Sequence, residues 1–244
     1  MKRGEFILDG ISSIDHGVLI QNRPVLYAPK RKVEFKSSFG MSGDYPFDEE
    51  AYENTEMELR LVMVGTTERS ASYNRDFVQD WFDSGSYQDL VAYFDPDKIY
   101  HVMPLESTEF VNKYYLGETQ VAIMKLTVLP YKHLVEGKTF KISSGGTFQN
   151  PTRKTALPLI KVTGSGNITL TVNGKPFQLS LVDGHIYLDS EFNIAYKDNA
   201  GLATNANNKV KTIEYPFLKP GANVISWTGS VTSVDITPRW RVLV

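Results

Sequence analysis

The chain has 244 residues, of which 41% are hydrophobic, 22% charged and 12% aromatic, with a formal charge of −2. At roughly 150 residues per domain that length makes one large domain or two modest ones, and the apolar content suffices for a core, so a wholly disordered chain is excluded. Eighteen glycines and twelve prolines exclude a collagen-like chain, and the absence of cysteine excludes disulfide scaffolds, thiolate zinc sites, iron–sulfur clusters and cysteine nucleophiles together.

Glu5 and Asp9 interrupt any apolar region that Lys2 and Arg3 would introduce, so no signal peptide is expected, and no apolar run approaches the roughly 18 residues that cross a bilayer. Synthesis in a cytoplasm is the expectation. Asn167-Ile168-Thr169 then reads as strand sequence, not as a glycosylation site.

The small net charge hides a split. Residues 1–135 carry 14 Lys/Arg against 21 Asp/Glu, and residues 136–244 carry 12 against 7. Residues 44–58 hold seven acids and no base. An acidic first module is a poor nucleic-acid binder, because phosphate is held by neutralising Lys and Arg. A solvated acidic loop is the simplest reading of the run.

In chain order, Phe6–Gly10 reads as a strand closing on a turn, and Gly17–Ile20 as a second apolar run. Val33-Glu34-Phe35 alternates, and Ser37–Gly43 is small and mobile in composition. Glu56–Val64 alternates acidic and apolar residues, the pattern of a strand with one wet face. Residues 71–84 predict the single helix: Ser72 caps it, Tyr73, Phe77, Trp81 and Phe82 recur at helical spacing, and Gly85 stops it. The aromatic stripe reads as a packing face. Leu90–Phe94 is a strand ending on an Asp95-Pro96-Asp97 turn, Ile99–Val102 resumes, and Val121–Leu129 is a long strand stopped by Pro130.

A module boundary is expected near Pro130 to Gly137, giving domains 1–135 and 136–244. Ile168–Val172 alternates and meets Asn173-Gly174, a strong hairpin signal. A further turn is expected at Asp183-Gly184, making a three-stranded meander with Ile168, Leu170, Val172, Leu179, Leu181, Ile186 and Leu188 inward. Residues 198–209 read as a polar surface loop, and Val224–Trp227 and Trp240–Val244 as final strands. Short, regularly spaced strands make the fold class mainly β: two β-sandwich-like domains, the first with one helix.

Nothing in the residue pattern supports catalysis. His16, His101, His133 and His185 are isolated from one another and lack metal-ligand spacing. The carboxylate pairs at Asp48-Glu49-Glu50 and Asp95-Pro96-Asp97 are adjacent in sequence, whereas glycoside hydrolysis needs two carboxyls facing across a cleft. Gly164-Ser165-Gly166 lacks the third glycine and the helix of a dinucleotide site and reads as a turn leading into a strand. No cofactor and no metal are expected. Two non-catalytic classes remain. One is a carbohydrate-binding sandwich that stacks sugars on Tyr187, Tyr196 or Trp227. The other is a structural subunit in which acidic and basic modules meet head to tail in a ring.

The second class is favoured by a resemblance. F-x-L-D-G (Phe6 to Gly10), Asp15-His16-Gly17-Val18, E-F-K-S-S-F-G (Glu34 to Gly40), F-D-E-E-A-Y-E-N (Phe47 to Asn54), W-F-D-S-G-S-Y (Trp81 to Tyr87) and Y-F-D-P (Tyr93 to Pro96) look like the distal tail proteins of siphophages. P-Y-K (Pro130 to Lys132), N-P-T (Asn150 to Thr152), Ala156 to Gly174, Leu188-Asp189-Ser190-Glu191 and P-R-W-R (Pro238 to Arg241) extend the likeness over the whole chain.

The resemblance implies a hexameric ring at the tip of a non-contractile tail, formed by the N-terminal module, with a C-terminal galectin-like sandwich projecting outward. It implies partners: further copies of itself, the tail tube protein, a tail-associated lysin or tip protein, and receptor-binding proteins. DNA passes through the lumen without specific binding, and no membrane is engaged. A galectin-like fold does not bring sugar binding with it, since the second module lacks the His/Arg/Asn/Trp cluster of galectins in recognisable order. On composition, the ring interface is placed at Phe39, Met41, Tyr45, Phe47 and Tyr52, and a DNA-repelling run at Asp44, Asp48, Glu49, Glu50 and Glu53. External partners are placed at the 198–209 loop and at Tyr187, Tyr196 and Trp227.

Overall fold

The computed structural model describes residues 1–64, 68–113 and 119–244. The chain divides into two compact units, one of residues 1–132 together with Leu243–Val244, the other of residues 133–242. The last two residues therefore return to the first unit, where Val244 packs on its core and donates its N–H to the Pro130 carbonyl at 3.1 Å.

The first unit is an antiparallel sheet with strands β1 (Phe6–Leu8), β2 (Ile11–Ser12), β3 (Val18–Ile20), β6 (Thr55–Val64), β7 (Gln88–Ala92), β8 (Asp95–Pro104), β9 (Glu109–Lys113) and β10 (Thr119–Val128). Their order is β2-β1-β7-β8-β10-β6-β3. Strand β10 follows β6 along its length, while its other edge pairs first with β9 (Thr119–Ile123) and then with β8 (Leu126–Val128). Changing partners along one edge lets the sheet diverge and curl.

The alternation read in 56–64 takes effect here. Met57, Leu59, Leu61 and Met63 are buried, facing Leu126, Met124 and Ala122 across the ladder, while Glu56, Glu58 and Arg60 stay outside. Helix α1 (Glu68–Phe82) packs against β6 and β10 through Phe77, Val78, Trp81 and Phe82. It starts before residue 71, so Ser72 lies within the helix instead of capping it, and Tyr73 is exposed. Gly85 follows the helix at φ +67. Its Trp81 stacks on Phe6 with centroids 5.3 Å apart, and His16 stacks on Phe77 at 3.9 Å.

Asp95-Pro96-Asp97 is strand, not turn. Ala92 pairs directly with Asp95, so the reversal is made by Tyr93 and Phe94 alone. Asp95 is then drawn inward, accepting hydrogen bonds from the Tyr100 hydroxyl (2.7 Å) and the Lys132 ammonium (2.8 Å).

A separate two-stranded ribbon, β4 (Arg31–Lys36) and β5 (Tyr45–Tyr52), lies outside this sheet. The small residues 37–43 form its tip.

The second unit contains β12 (Phe140–Ile142), β13 (Gly146–Asn150), β14 (Leu159–Val172), β15 (Lys175–Asp189), β16 (Ile194–Asn199), β17 (Leu202–Asn205) and β18 (Gly221–Thr237). Short strands β11 (Tyr131–Leu134) and β19 (Arg241–Leu243) flank it in the chain. The sheet runs β12-β18-β14-β15-β16-β17, with β13 added to β18 beside β12. Asn173 (φ +52) and Gly174 (φ +81) turn β14 into β15 as the sequence predicts.

The second expected turn is absent. β15 runs straight through Asp183-Gly184, which pair with Ser165 and Gly164, so two long strands replace a three-stranded meander. Gly164-Ser165-Gly166 accordingly lies inside β14. Register shifts between Gly166 and Ile168, and between Ser165 and Thr169 against β18, bend the strands together. Leu181 adopts φ +52 within this bend and is exposed, and Val182 takes the buried place expected for it. The polar stretch 198–209 is likewise not all loop. It continues β16 and turns at Ala200-Gly201, where Asp198 Oδ1 accepts the Gly201 N–H at 2.9 Å, into β17.

Candidate functional site

Among the described residues no cluster of His, Asp or Glu is arranged to hold a metal ion, and no helix is long and apolar enough to cross a membrane. The histidines are dispersed. His101 Nδ1 lies 2.8 Å from Asp89, and His185 Nε2 lies 2.9 Å from the Asp198 carbonyl.

The feature that a packed domain does not explain is the β4–β5 ribbon. Phe35 is 66% exposed, Phe39 106%, Tyr45 62% and Phe47 51%, and Met41 and nearby Val25 and Tyr27 are exposed too. Cross-strand register puts Tyr45 and Phe47 opposite Lys36 and Glu34 on one face, and Phe35, Pro46, Val33 and Asp48 on the other. Both faces are thus open, and Lys36 sits over the Phe47 ring at 4.9 Å. The arm thus carries exposed aromatic side chains on both of its faces.

The base of the ribbon is anchored. Arg31 grips Asp48 through Nε and Nη2 and donates from Nη1 to the Tyr52 hydroxyl at 2.9 Å. Tyr52 also meets the Tyr131 ring edge-on at 5.8 Å. The hydrogen bonds from Arg31 hold the Asp48 carboxyl below its usual range. Of the proposed interface residues, Phe39, Met41, Tyr45 and Phe47 share the exposed arm, while Tyr52 stiffens its root. Phe35 is exposed on the same arm, and the alternation of E-F-K was the signal for it.

The acidic run is only partly free. Asp48 is matched by Arg31 and Glu53 by Lys30 at 3.6 Å, bases just upstream of the window. Asp44, Glu49 and Glu50 form no ion pair among the described residues.

In the second unit Tyr187 and Tyr196 stack at 5.1 Å and 5°, and Lys161 covers Tyr187 at 5.1 Å. Tyr187 is therefore held between two neighbours from the adjoining strands β14 and β16. Burial, helped by the Asp189 charge, pushes the Tyr196 hydroxyl up. Trp227 is not with them. It pairs with Leu170 and packs half-buried on the second core.

Several residues of the motifs that carried the resemblance make long-range contacts, some of them with one another. Asp9 accepts from Gln88 Nε2 (2.9 Å) and the Asp89 N–H (2.8 Å); Asn54 donates to the Tyr87 hydroxyl at 2.8 Å. Asp95 meets Lys132, and Asp189 meets Arg239. Asn150 ties Thr152, Lys154 and Leu218 together. They are architectural positions.

Neither a protein-family model nor a curated protein sequence matches the chain significantly. Solved structures do, and the fold they share with this chain is that of a phage hub protein and of phage baseplate chains. The Dit protein of phage SPP1, described as a paradigm of the hub adsorption apparatus in phages infecting Gram-positive bacteria, matches at TM-score 0.69 with 13% identity over 98% of this chain and 99% of that one. Chains of the phage P2 baseplate in its activated conformation match at 0.58 with calcium (10% identity, 97% and 98% covered) and at 0.57 with strontium (8%, 95% and 97%).

Proposed function

We propose that this protein is the structural hub of a siphophage tail tip, a virion component with no catalytic role. Six copies close into a ring through residues 1–132, and a galectin-like unit of residues 133–242 faces outward. The ring joins the tail tube to a lysin or tip protein and to receptor-binding proteins, and DNA passes through it. The observation that carries this reading is the end-to-end likeness to hub proteins, spanning both units of the chain. The exposed ribbon supports self-assembly, since an aromatic arm with two open faces needs a second chain to cover it. The unpaired acids Asp44, Glu49 and Glu50 suit a lumen that repels DNA if they line it.

Native mass spectrometry of the intact chain over a range of concentrations tests the ring. A species at six times the 27.5 kDa chain mass is expected. A strict monomer up to the solubility limit, or a closed ring of another number, would overturn the hexamer.

A further inference from the structure

A pocket of about 430 Å³ opens on the second unit between the Asn173-Gly174 hairpin and residues 212–219. Its volume falls in the range of roughly 300–1,000 Å³ typical of small-molecule sites. Both walls are fixed. Asn173 is locked by hydrogen bonds with Asn223 Oδ1 (2.8 Å) and the Val224 N–H (3.0 Å). The opposite segment is tied down by the Lys211 N–H to the Gln178 carbonyl (2.9 Å), the Gln178 N–H to Thr212 Oγ1 (2.9 Å) and the Lys219 N–H to Asn223 Oδ1 (2.9 Å). Leu218 and Ala156 exchange two backbone hydrogen bonds behind it. The cavity is preformed, so a ligand does not bear the cost of ordering it.

Its chemistry is mixed. Phe177 is buried at the base, and Tyr215 leans on it at 5.1 Å and 56°. Phe217 forms a second aromatic wall, covered by Lys175 at 4.7 Å. Around the rim, Lys175 is paired with Glu214 at 2.7 Å, while Lys219 forms no ion pair among the described residues. Two ammonium groups against one carboxylate leave the pocket with a single positive charge in a unit that is itself basic. The Tyr215 hydroxyl makes no hydrogen bond among the described residues, and burial pushes its pKa up, so it is a protonated donor at neutral pH. Thr212 Oγ1 accepts from Gln178 and keeps its own O–H to give.

We infer that this pocket binds a small acidic saccharide: one sugar ring carrying a single carboxylate or phosphate, seated on Tyr215 with its anion at Lys219. A sugar presents an apolar C–H face to an aromatic ring and hydroxyls around its edge, matching an aromatic wall bordered by donors and acceptors. Glu214, held by Lys175, serves as acceptor for a sugar hydroxyl. The pocket is separate from Tyr187, Tyr196 and Trp227, and the inference stands whether or not the chain forms a ring.

The test is saturation-transfer NMR on the intact chain with glucuronate, glucose 6-phosphate, glucose, acetate, inorganic phosphate and an Asp-Phe dipeptide as probes. Dissociation constants for the two acidic sugars on the order of 1 mM are expected for so small a ligand. Both acidic sugars should bind at least several-fold more tightly than glucose, and the stronger of them distinguishes carboxylate from phosphate. Lys219→Met should abolish that preference, and Tyr215→Ala should remove transfer while the thermal midpoint is monitored; Tyr215→Phe, which keeps the ring, should weaken binding without unfolding the unit. Absence of transfer from both acidic sugars would overturn the inference, as would undiminished binding to folded Tyr215→Ala. Equal competition by acetate and phosphate would reduce the site to anions near surface lysines, and tighter binding of the dipeptide would make it a peptide site; either result overturns the saccharide.

Discussion

Arg239 and Asp189, fifty residues apart, form a two-pronged ion pair, Nη1 to Oδ1 at 2.7 Å and Nη2 to Oδ2 at 3.0 Å. The Glu191 N–H also donates to Asp189 Oδ1 at 3.0 Å, and the Glu191 carboxylate reaches Arg239 Nη1 at 3.2 Å. The end of β15 is thereby fastened to the chain after β18. Burial works against the guanidinium charge, but its hydrogen bonds with Asp189 outweigh that and raise its pKa.

Removing Arg239 leaves the buried Asp189 carboxylate with backbone partners alone. Arg239→Met is expected to destabilise the second unit by about 3–5 kcal/mol, while a double change to Met and Leu should recover much of the loss. Urea unfolding measures both. A single-variant loss of about 0–1 kcal/mol, the value of an exposed pair, would show the clamp to be dispensable.

The bend in the second unit depends on two glycines. A Cβ at Gly164 would lie 2.3 Å from the Ser230 carbonyl oxygen, and one at Gly229, which sits at φ +100, would lie 2.4 Å from that of Asn167. Neither contact is with a movable side-chain end. Gly229→Ala should cost about 2–4 kcal/mol, combining backbone strain with overpacking. Gly174→Ala, also at positive φ but with open space around it, should cost less, about 1–2 kcal/mol. Equal thermal shifts for the two would argue against crowding at the bend.

For the arm, stability and assembly should separate. Tyr45→Ser with Phe47→Ser removes exposed apolar surface, so the unfolding free energy of the monomer should stay within about 0.5 kcal/mol of the parent. The same double variant should lose the assembled species in mass measurements. Assembly unchanged by it would move the interface elsewhere on the unit.

Acid should loosen the first unit through Asp95. Burial alone would raise this carboxyl, but hydrogen bonds from Lys132 and Tyr100 more than offset it and hold the pKa below the usual value. A depressed folded-state pKa gives stability that is fully present above the unfolded value, about 3.9, and is lost as pH falls through the folded value. Asp95→Asn should therefore flatten the acid limb of stability below about pH 4. Lys132→Met at neutral pH should cost about 1–3 kcal/mol by leaving that carboxylate without its cation. An acid limb identical in Asp95→Asn and parent would exclude this group as the source.

Much of the fold was legible. The alternation in 56–64 and 168–172 selects strands because only period two places every apolar residue on one face. Asn173-Gly174 announces its hairpin because both residues tolerate positive φ. Phe77, Trp81 and Phe82 mark the helix. The failures share a cause. Asp95-Pro96-Asp97, Gly164-Ser165-Gly166 and Asp183-Gly184 all have turn composition, yet each is strand; in the last two, pairing between the long strands β14 and β15 overrides local preference, while Asp95 pairs with Ala92. Leu181 looked like core because a bulge, set by three strands at once, shifts the phase of the pattern.

The exposed arm was half legible. Its aromatics were visible as residue types, but whether Phe39 or Phe47 is core or surface depends on whether β4 and β5 join the main sheet, which composition does not encode. The saccharide pocket was invisible, since Lys175, Glu214 and Lys219 converge only after β15 and the 211–219 segment are tied together.

By itself the sequence determined that this is a cysteine-free, mainly β protein whose first half is acidic and whose second half is basic, because periodicity, turn chemistry and charge are local properties. The tertiary structure decided which turn-like segments stay in strands, that the last two residues go back to the first unit, which acids are neutralised, and that motifs far apart in the chain meet as Asp95–Lys132 and Asp189–Arg239. Those outcomes rest on long-range pairing, where the free energy of burying a strand or a charge exceeds the local preferences that a sequence displays.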